Sequence, residues 1–207
     1  MEIKSDKVVS SEPKRFVLQK CNVDHYETLY TKSYSDIIYK TIINVLPKPL
    51  PKGKRINVTY GDEGLVYEVV FGGYGGKPRN VVQRHAIAWN KLPILEELRD
   101  HISMLTGEKY NYCVIQYYPC GKVGIKPHKD KEMILGTTIC GLSIGETRVL
   151  QLSPPKFLNE ESISLSLSTG SLYVLKPPTN SYWTHAILTD KTTNPRISLT
   201  FRNVENK

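Results

Sequence analysis

Cysteine is scarce, and its spacing suits neither of its usual structural uses. Cys21, Cys113, Cys120 and Cys140 include no Cys-x-x-Cys pair, which disfavours a structural zinc site. The four read as reduced thiols of an intracellular protein, cytoplasmic or nuclear, with a disulfide as the lesser alternative. No apolar run is long enough to cross a bilayer, so no membrane partner is expected. The opening residues Met1-Glu-Ile-Lys-Ser-Asp-Lys7 lack the apolar core of a secretory signal. No internal repeat is evident. Acidic residues are outnumbered: 28 Lys and Arg against 20 Asp and Glu leave a formal charge of +8 over 207 residues. That excess favours a polyanionic partner such as nucleic acid, although a soluble basic protein would have it too.

The length fits one domain. Residues 1–15 are polar and expected to be flexible; residues 16–204 are expected to form a single domain, acting as a monomer. Ser35 to Pro47 reads as a helix capped by Ser35, with Ile38, Ile42 and Val45 on one face and Pro47 as the stop. Strand-like runs follow at 56–60 and 65–71, then a glycine-rich turn at 72–76. A second helix starts near Pro93, carries the stripe Leu95, Leu98, Ile102 and Leu105, and ends at Gly107. Beyond residue 108 the pattern changes to short β-rich runs at 111–118, 134–144, 147–152, 162–168, 171–175, 183–188 and 196–202, punctuated by Gly, Pro, Asn and Asp. The fold expected is therefore α+β and mainly β. A sandwich or jelly-roll core over 109–204 follows a helical and substrate-recognition layer over 16–108. The basic stretch Lys48, Lys52, Lys54 and Arg55 reads either as a solvated linker or as a phosphate-contacting loop.

Arg196-Ile-Ser-Leu-Thr-Phe-Arg202 carries the most chemistry. With period two, Arg196, Ser198, Thr200 and Arg202 share one face of a strand, and Ile197, Leu199 and Phe201 share the other. Two permanent cations on one face suit a small di-acid, because guanidinium pairs bidentately with carboxylate. His128-Lys-Asp130 places two metal ligands on one side of an extended segment, and His185 would join them from a distant strand. Two His and one carboxylate suit ferrous iron and leave positions open for dioxygen and a chelating substrate. His-x-Asp alone is a weak signal. His25-Tyr-Glu27 is a decoy of similar form, without partners in register. His85 and His101 are left unassigned.

Four blocks together resemble the AlkB-like 2-oxoglutarate- and iron(II)-dependent dioxygenases, most closely the nucleic-acid demethylase branch. They are Tyr110 to Tyr118, His128-Lys-Asp130-Lys-Glu132, Gly170 to His185 and Arg196 to Arg202; the stretch Leu142 to Arg148 also fits. The resemblance covers roughly residues 92–204. It implies a double-stranded β-helix, a distorted jelly roll, with iron(II), 2-oxoglutarate and O2 as cofactors. By position, His128, Asp130 and His185 would bind iron. Tyr118 and Arg196 would hold the distal carboxylate of 2-oxoglutarate, and Arg202 would neutralise the end near the metal. Where the family has asparagine, this chain has Gln116 in one place and Ser198 in the other, both able to hydrogen-bond in the same pocket. Thr59-Tyr-Gly-Asp62 and Pro78-Arg79 echo the family's nucleotide-recognition region in reversed order.

The activity implied is oxidative demethylation of N-alkylated bases in DNA or RNA, as in alkylation-damage repair, releasing formaldehyde, succinate and carbon dioxide. The base would come from a single strand or be extruded from a duplex. Tyr60, Tyr74, Trp89 and His128 are candidates for stacking on it, with core packing the alternative role for the aromatics. Glu132 either contacts the base edge or is a solvated carboxylate; Lys77 and Arg79 either contact phosphate or are plain surface charge. The alternative function is the same chemistry on a protein or small molecule. A non-catalytic binding module would require a lost triad member, and none is missing.

Overall fold

The computed structural model describes residues 5–9, 12–72 and 79–207. Two sheets face each other. The larger is built from β1 (Lys14–Leu18), β2 (Cys21–Tyr26), β3 (Ile56–Gly61), β6 (Ile87–Ala88), β7 (Tyr112–Tyr118), β9 (Ile139–Gly145), β12 (Leu172–Lys176) and β14 (Arg196–Arg202), in the spatial order β1-β2-β12-β9-β14-β7-β3-β6. The smaller contains β8 (Ile125–His128), β10 (Arg148–Ser153), β11 (Ile163–Leu167) and β13 (Thr184–Ile187), in the order β11-β10-β13-β8. A separate hairpin pairs β4 (Val66–Gly72) with β5 (Arg79–His85). This is the jelly-roll arrangement expected from the run of short strands.

Two helices cover the outer face of the large sheet. α1 (Lys32–Val45) is capped by Thr31, whose side chain accepts from the Tyr34 N–H. Ser35, the expected cap, is instead buried in the first turn, because Thr31 stands three residues before an available N–H and starts the helix earlier. Val45 is 41 % exposed and Leu46 takes the core position expected of it. α2 (Pro93–Thr106) follows its expected bounds, with Pro93 at the start and Gly107 at φ +72 closing the end by donating to Ser103 O. Ile38, Ile42, Leu95, Leu98 and Ile102 pack on Ile197, Leu199 and Phe201 of β14, which are fully buried. A second core fills the space between the sheets, where Leu150, Leu152 and Leu165 meet Val23, Ile139 and Tyr173. A third, of Leu65, Tyr67, Tyr112 and Val114, lies at the base of the β4–β5 hairpin.

Two departures from expectation have local causes. β1 and β2 give no strand signal in the sequence, because Asn22, Asp24 and His25 break the apolar alternation; all the same, Asp24 and His25 are buried, and Asp24 pairs with Arg15 and Lys176. The run expected at 134–144 becomes a strand only from Ile139. β8 escapes a hydropathy reading because Pro127 interrupts it, and Pro is admissible there since β8 is an edge strand. In the N-terminal segment read as flexible, a 3-10 turn spans Ser5–Lys7, Val8 bridges to Tyr30 and Lys7 pairs with Glu97 at 3.0 Å. The turn expected over 72–76, with Tyr74, lies outside the described residues from position 73 onward. Among the described residues, no helix is long and apolar enough to cross a membrane, and all four cysteines are free thiols.

Candidate metal centre

The topology brings together what the sequence keeps 57 residues apart. β13 runs antiparallel to β8, and His185 is the register partner of His128. Their rings lie 4.3 Å apart. Asp130 follows just beyond β8, with Oδ1 3.4 Å from His128 Nε2 and 3.7 Å from His185 Nε2. One ligand atom from each of the three residues falls within 4.8 Å of the others, and this is the one such group found among the described residues. The decoy separates: His25 is buried, while Glu27 is on the surface paired with Lys14.

The electrostatics favour a ligand set ready for a cation. His128 Nδ1 donates to Lys126 O at 2.9 Å, so Nε2 is the nitrogen that faces Asp130. Burial pulls the His128 pKa down, but the hydrogen bond with Asp130, the Lys126 carbonyl and the Asp130 charge outweigh it and raise it overall. His185 is pulled down to about 4 by burial, with Asp130 opposing and His128 and Arg202 adding to the fall. It is therefore neutral and able to coordinate over the physiological range. Burial alone would raise the Asp130 carboxyl; Arg202 and the two histidines reverse that and hold it well below the usual carboxylate range. Arg202 Nη2 sits 2.9 Å from Asp130 Oδ2, so one oxygen is held by the guanidinium and Oδ1 is turned to the imidazoles.

Beside the triad is a pocket lined by Gln116, Tyr118, Tyr173, Ser198, Thr200 and Arg202, with His128 and His185 at one end and Ile125, Leu150 and Ile187 as apolar walls. The inward face of β14 supplies Ser198, Thr200 and Arg202 as the period-two reading expects. The strand is nonetheless buried on both faces, because the second sheet closes over it. Arg196 is the register partner of Tyr118, and its guanidinium lies 5.2 Å from the Tyr118 ring centroid. Its Nε donates to Ser143 Oγ at 2.8 Å, whereas Nη1 and Nη2 are buried without a hydrogen-bond partner, as is Nε of Arg202. Buried donors left unanswered are costly. Arg202 lines the pocket, and Arg196 lies against the lining residue Tyr118; a carboxylate that reached these donors would answer them, so the residues present fit a di-acid next to a metal. Tyr118 donates to Gln116 Oε1 at 3.0 Å, so the glutamine serves as a hydrogen-bond partner there.

The expected substrate contacts divide. Glu132 stands at the rim, its Oε2 3.8 Å from Arg202 Nη1. The His128 side chain is 36 % exposed, so part of it is open at the mouth. Tyr60 and Trp89 are corrected: both are buried in the core under the helices, on the opposite face of the large sheet. Trp89 Nε1 donates to Asp62 Oδ1 at 2.7 Å and the Arg99 guanidinium covers its ring, so it has no free face to stack on a base. The alternative role, core packing, is the one they fill. Lys77 lies outside the described residues, as does the side chain of Arg79.

Two residues inside the family-like blocks, Tyr173 and Arg148, are given no role by the sequence; the first lines the pocket and the second braces the loop beside it. Tyr173 reaches the pocket across β9 because its register partner is Gly141, where a Cβ would come within 2.1 Å of the Tyr173 ring. The clue was a glycine inside an otherwise apolar strand. Arg148 is fully buried and donates to the carbonyls of Cys120, Gly121, Val123 and Leu188, tying the loop after Tyr118 to the end of β13. Its signal was a cation placed at the start of an apolar strand.

Similarity to known proteins agrees with this geometry. The family model of the 2OG-Fe(II) oxygenase superfamily matches residues 67–202. The chain is 34 % identical over 161 residues to the DNA oxidative demethylase ALKBH2 of Bos taurus, covering 72 % of this chain and 53 % of that protein. Against ALKBH2 of Homo sapiens the identity is 33 % over 161 residues, covering 72 % of this chain and 56 % of that protein. It is also similar to the alpha-ketoglutarate-dependent dioxygenase alkB homolog 3 of Homo sapiens, at 30 % identity over 122 residues, with 54 % of this chain and 43 % of that protein covered. The chain thus spans about half the length of these relatives. Among solved structures, OsALKBH1 shares the fold with a TM-score of 0.54 at 12 % identity, over 92 % of this chain and 100 % of that one.

Proposed function

The chain belongs to the 2OG-Fe(II) oxygenase superfamily, and from that premise we propose that it is an oxidative demethylase of N-alkylated bases in DNA. The carrying observation is the convergence of His128, Asp130 and His185 next to Arg202, together with buried nitrogens of Arg196 and Arg202 that have no hydrogen-bond partner among the described residues. The naming of the ALKBH2 proteins as DNA oxidative demethylases directs the reading to DNA, and the +8 charge supports a polyanionic substrate. Four free thiols support an intracellular setting.

In this reading His128 and His185 would hold iron(II) through Nε2 and Asp130 would hold it through Oδ1, a set of two imidazoles and one carboxylate suited to ferrous iron. Arg196 would receive the distal carboxylate of 2-oxoglutarate on Nη1 and Nη2, with Tyr118 beside it. Arg202 holds Asp130 Oδ2 and offers Nε toward the metal end of the cosubstrate. Ile125, Leu150 and Ile187 supply the apolar wall of the pocket. When bound, iron(II) and 2-oxoglutarate supply with O2 the oxidising power that hydroxylates a carbon attached to nitrogen, which leaves as formaldehyde while succinate and carbon dioxide form. Glu132 at the rim lies where a base edge would enter.

Anaerobic reconstitution with iron(II) and 2-oxoglutarate, followed by O2 and a panel of alkylated oligonucleotides, tests the proposal. Formaldehyde is expected in step with succinate, and His128→Ala is expected to abolish both. Failure of every oligonucleotide to stimulate 2-oxoglutarate turnover would redirect the chemistry to a protein or small molecule. A fully active His128→Ala variant with wild-type metal content would overturn the ligand assignment.

A further inference from the structure

His128 and His185 are held by the sheet itself, as register partners of β8 and β13. Asp130 has no such support. It stands two residues past the end of β8, yet its side chain is only 4 % exposed. Backbone that leaves a ladder in a buried place must find other partners for its N–H and C=O. Here one side chain answers both. The Asp130 N–H donates to Asn180 Oδ1 at 3.0 Å, and Asn180 Nδ2 donates to Asp130 O at 2.9 Å. A carboxamide offers the same donor and acceptor as a peptide unit, so Asn180 stands in for the missing neighbouring strand. It lies on the single turn α3 (Thr179–Tyr182), which leads directly into β13 and His185. The clasp therefore joins the two segments that carry the three ligand residues. An outer stitch runs parallel to it, from Lys129 Nζ to Ser181 O at 2.6 Å.

We propose that Asn180 is a positioning residue of the metal centre: it sets the Asp130 carboxylate at its distance from the two imidazoles while touching neither metal nor substrate. The inference rests on the reading of His128, Asp130 and His185 as iron ligands. Arg202 governs the rotation of the carboxylate by holding Oδ2; Asn180 governs where the backbone bearing it stands. The two controls are independent, because one acts on the side-chain tip and the other on the peptide groups. Without the carboxamide, two buried peptide groups lose their partners, and the turn can regain them only by moving toward water, which draws the carboxylate away from the histidines.

The test is titration of metal-free wild type, Asn180→Ala, Asn180→Gln and Lys129→Ala with Co(II), read by d–d absorption and chelator competition, with His128→Ala as the control for triad-dependent binding. Outer partners of metal ligands typically contribute 10–100-fold in affinity, so Asn180→Ala is expected to raise the Co(II) dissociation constant by about that factor and to alter the band shape. Lys129→Ala, which cuts only the outer stitch, is expected to bind as wild type does. Wild-type affinity in Asn180→Ala overturns the inference. Equal weakening in Asn180→Ala and Lys129→Ala overturns it too, since that marks general loosening of the turn. Should Asn180→Ala not fold, Asn180→Gln decides: its amide sits one methylene further out and cannot serve both Asp130 groups from the same place, so weaker binding supports the proposal and wild-type binding removes it. A wild-type chain without a His128-dependent spectrum would remove the ligand reading itself, and this inference with it.

Discussion

Arg196 is a buried cation whose Nε donates to Ser143 and whose Nη1 and Nη2 have no hydrogen-bond partner among the described residues. Burial lowers its pKa, while Tyr118 and Tyr173 work against the fall and Arg148 adds to it. A guanidinium nevertheless stays charged in proteins, and a carboxylate reaching Nη1 and Nη2 would offset the cost of keeping it here. Arg196→Ala removes hydrogen bonds to a charged group, each of which contributes about 1.5–3 kcal/mol. At about 1.4 kcal/mol per tenfold, the concentration of 2-oxoglutarate needed for half-maximal turnover should rise by at least about tenfold. The loss should appear in KM for 2-oxoglutarate more than in kcat at saturation. An unchanged cosubstrate requirement would remove Arg196 from the site. Tyr118 and Gln116, already hydrogen-bonded to each other, are expected to give smaller effects of the same kind.

At the scale of elements, the pairing of β9 with β12 decides the shape of the pocket. Tyr173 lies over Gly141, and the absence of a side chain at 141 is what admits the ring. Gly141→Ala would place a methyl group 2.1 Å from a ring carbon of Tyr173. The clash cannot be relieved by a small side-chain adjustment, because Tyr173 is itself only 4 % exposed and packed between the sheets. Overpacking of this kind costs about 1–3 kcal/mol, so the urea midpoint should fall and the binding of 2-oxoglutarate should weaken together. The double variant Gly141→Ala with Tyr173→Ala should recover part of the stability, and absence of that rescue would show that the contact is not the cause. The β8–β13 pair acts in a different way: its register presents two imidazoles to one point, so a shift by one residue would turn one of them to the opposite face.

At the scale of the whole molecule, the buried histidines set how stability responds to acid. Burial lowers the pKa of His25, His101 and His185, the last to about 4. An imidazole in the unfolded chain takes its proton near 6.5. As pH falls from 6.5 toward 4, the unfolded state therefore binds more protons at these positions, and stability falls. Asp130, held below the usual carboxylate range, acts in the same direction at lower pH: its contribution is present above its unfolded pKa and is lost as the pH falls further. His128 opposes them, since its raised pKa gives stability below 6.5 that is lost as pH rises through the folded value. Three lowered imidazoles against one raised give a net loss in acid. The urea midpoint of the metal-free protein should be lower at pH 5 than at pH 7, and His185→Gln should flatten the slope. A midpoint that is level or rises on acidification would contradict this assignment of charges. The same folding that buries these groups holds both helices against the outer face of the large sheet, away from the metal site.

Much of this was legible in the chain because strands and helices carry their own period. The alternation of Arg196 to Arg202 separates polar from apolar faces without any knowledge of neighbours, and the stripe of α2 with Gly107 behind it identifies both the buried face and the end of that helix. Side-chain geometry relative to the backbone is local, so residue order alone determines it. The residues that could ligate a metal or bind a di-acid were legible for the same reason, since their chemistry belongs to the side chain. What order alone could not decide is which side chains meet. Trp89 and Tyr60 are aromatic wherever they sit, and only the packing turned them into core under the helices instead of a platform for a base. β1 and β2 had polar residues in buried positions, where partners distant in sequence make burial tolerable. Asn180 is an ordinary polar residue until the chain brings it across 50 positions to the backbone of Asp130. Contacts of that kind depend on sheet order and register, which are properties of the assembled fold; local preference determines the elements, and long-range pairing alone assembles the site.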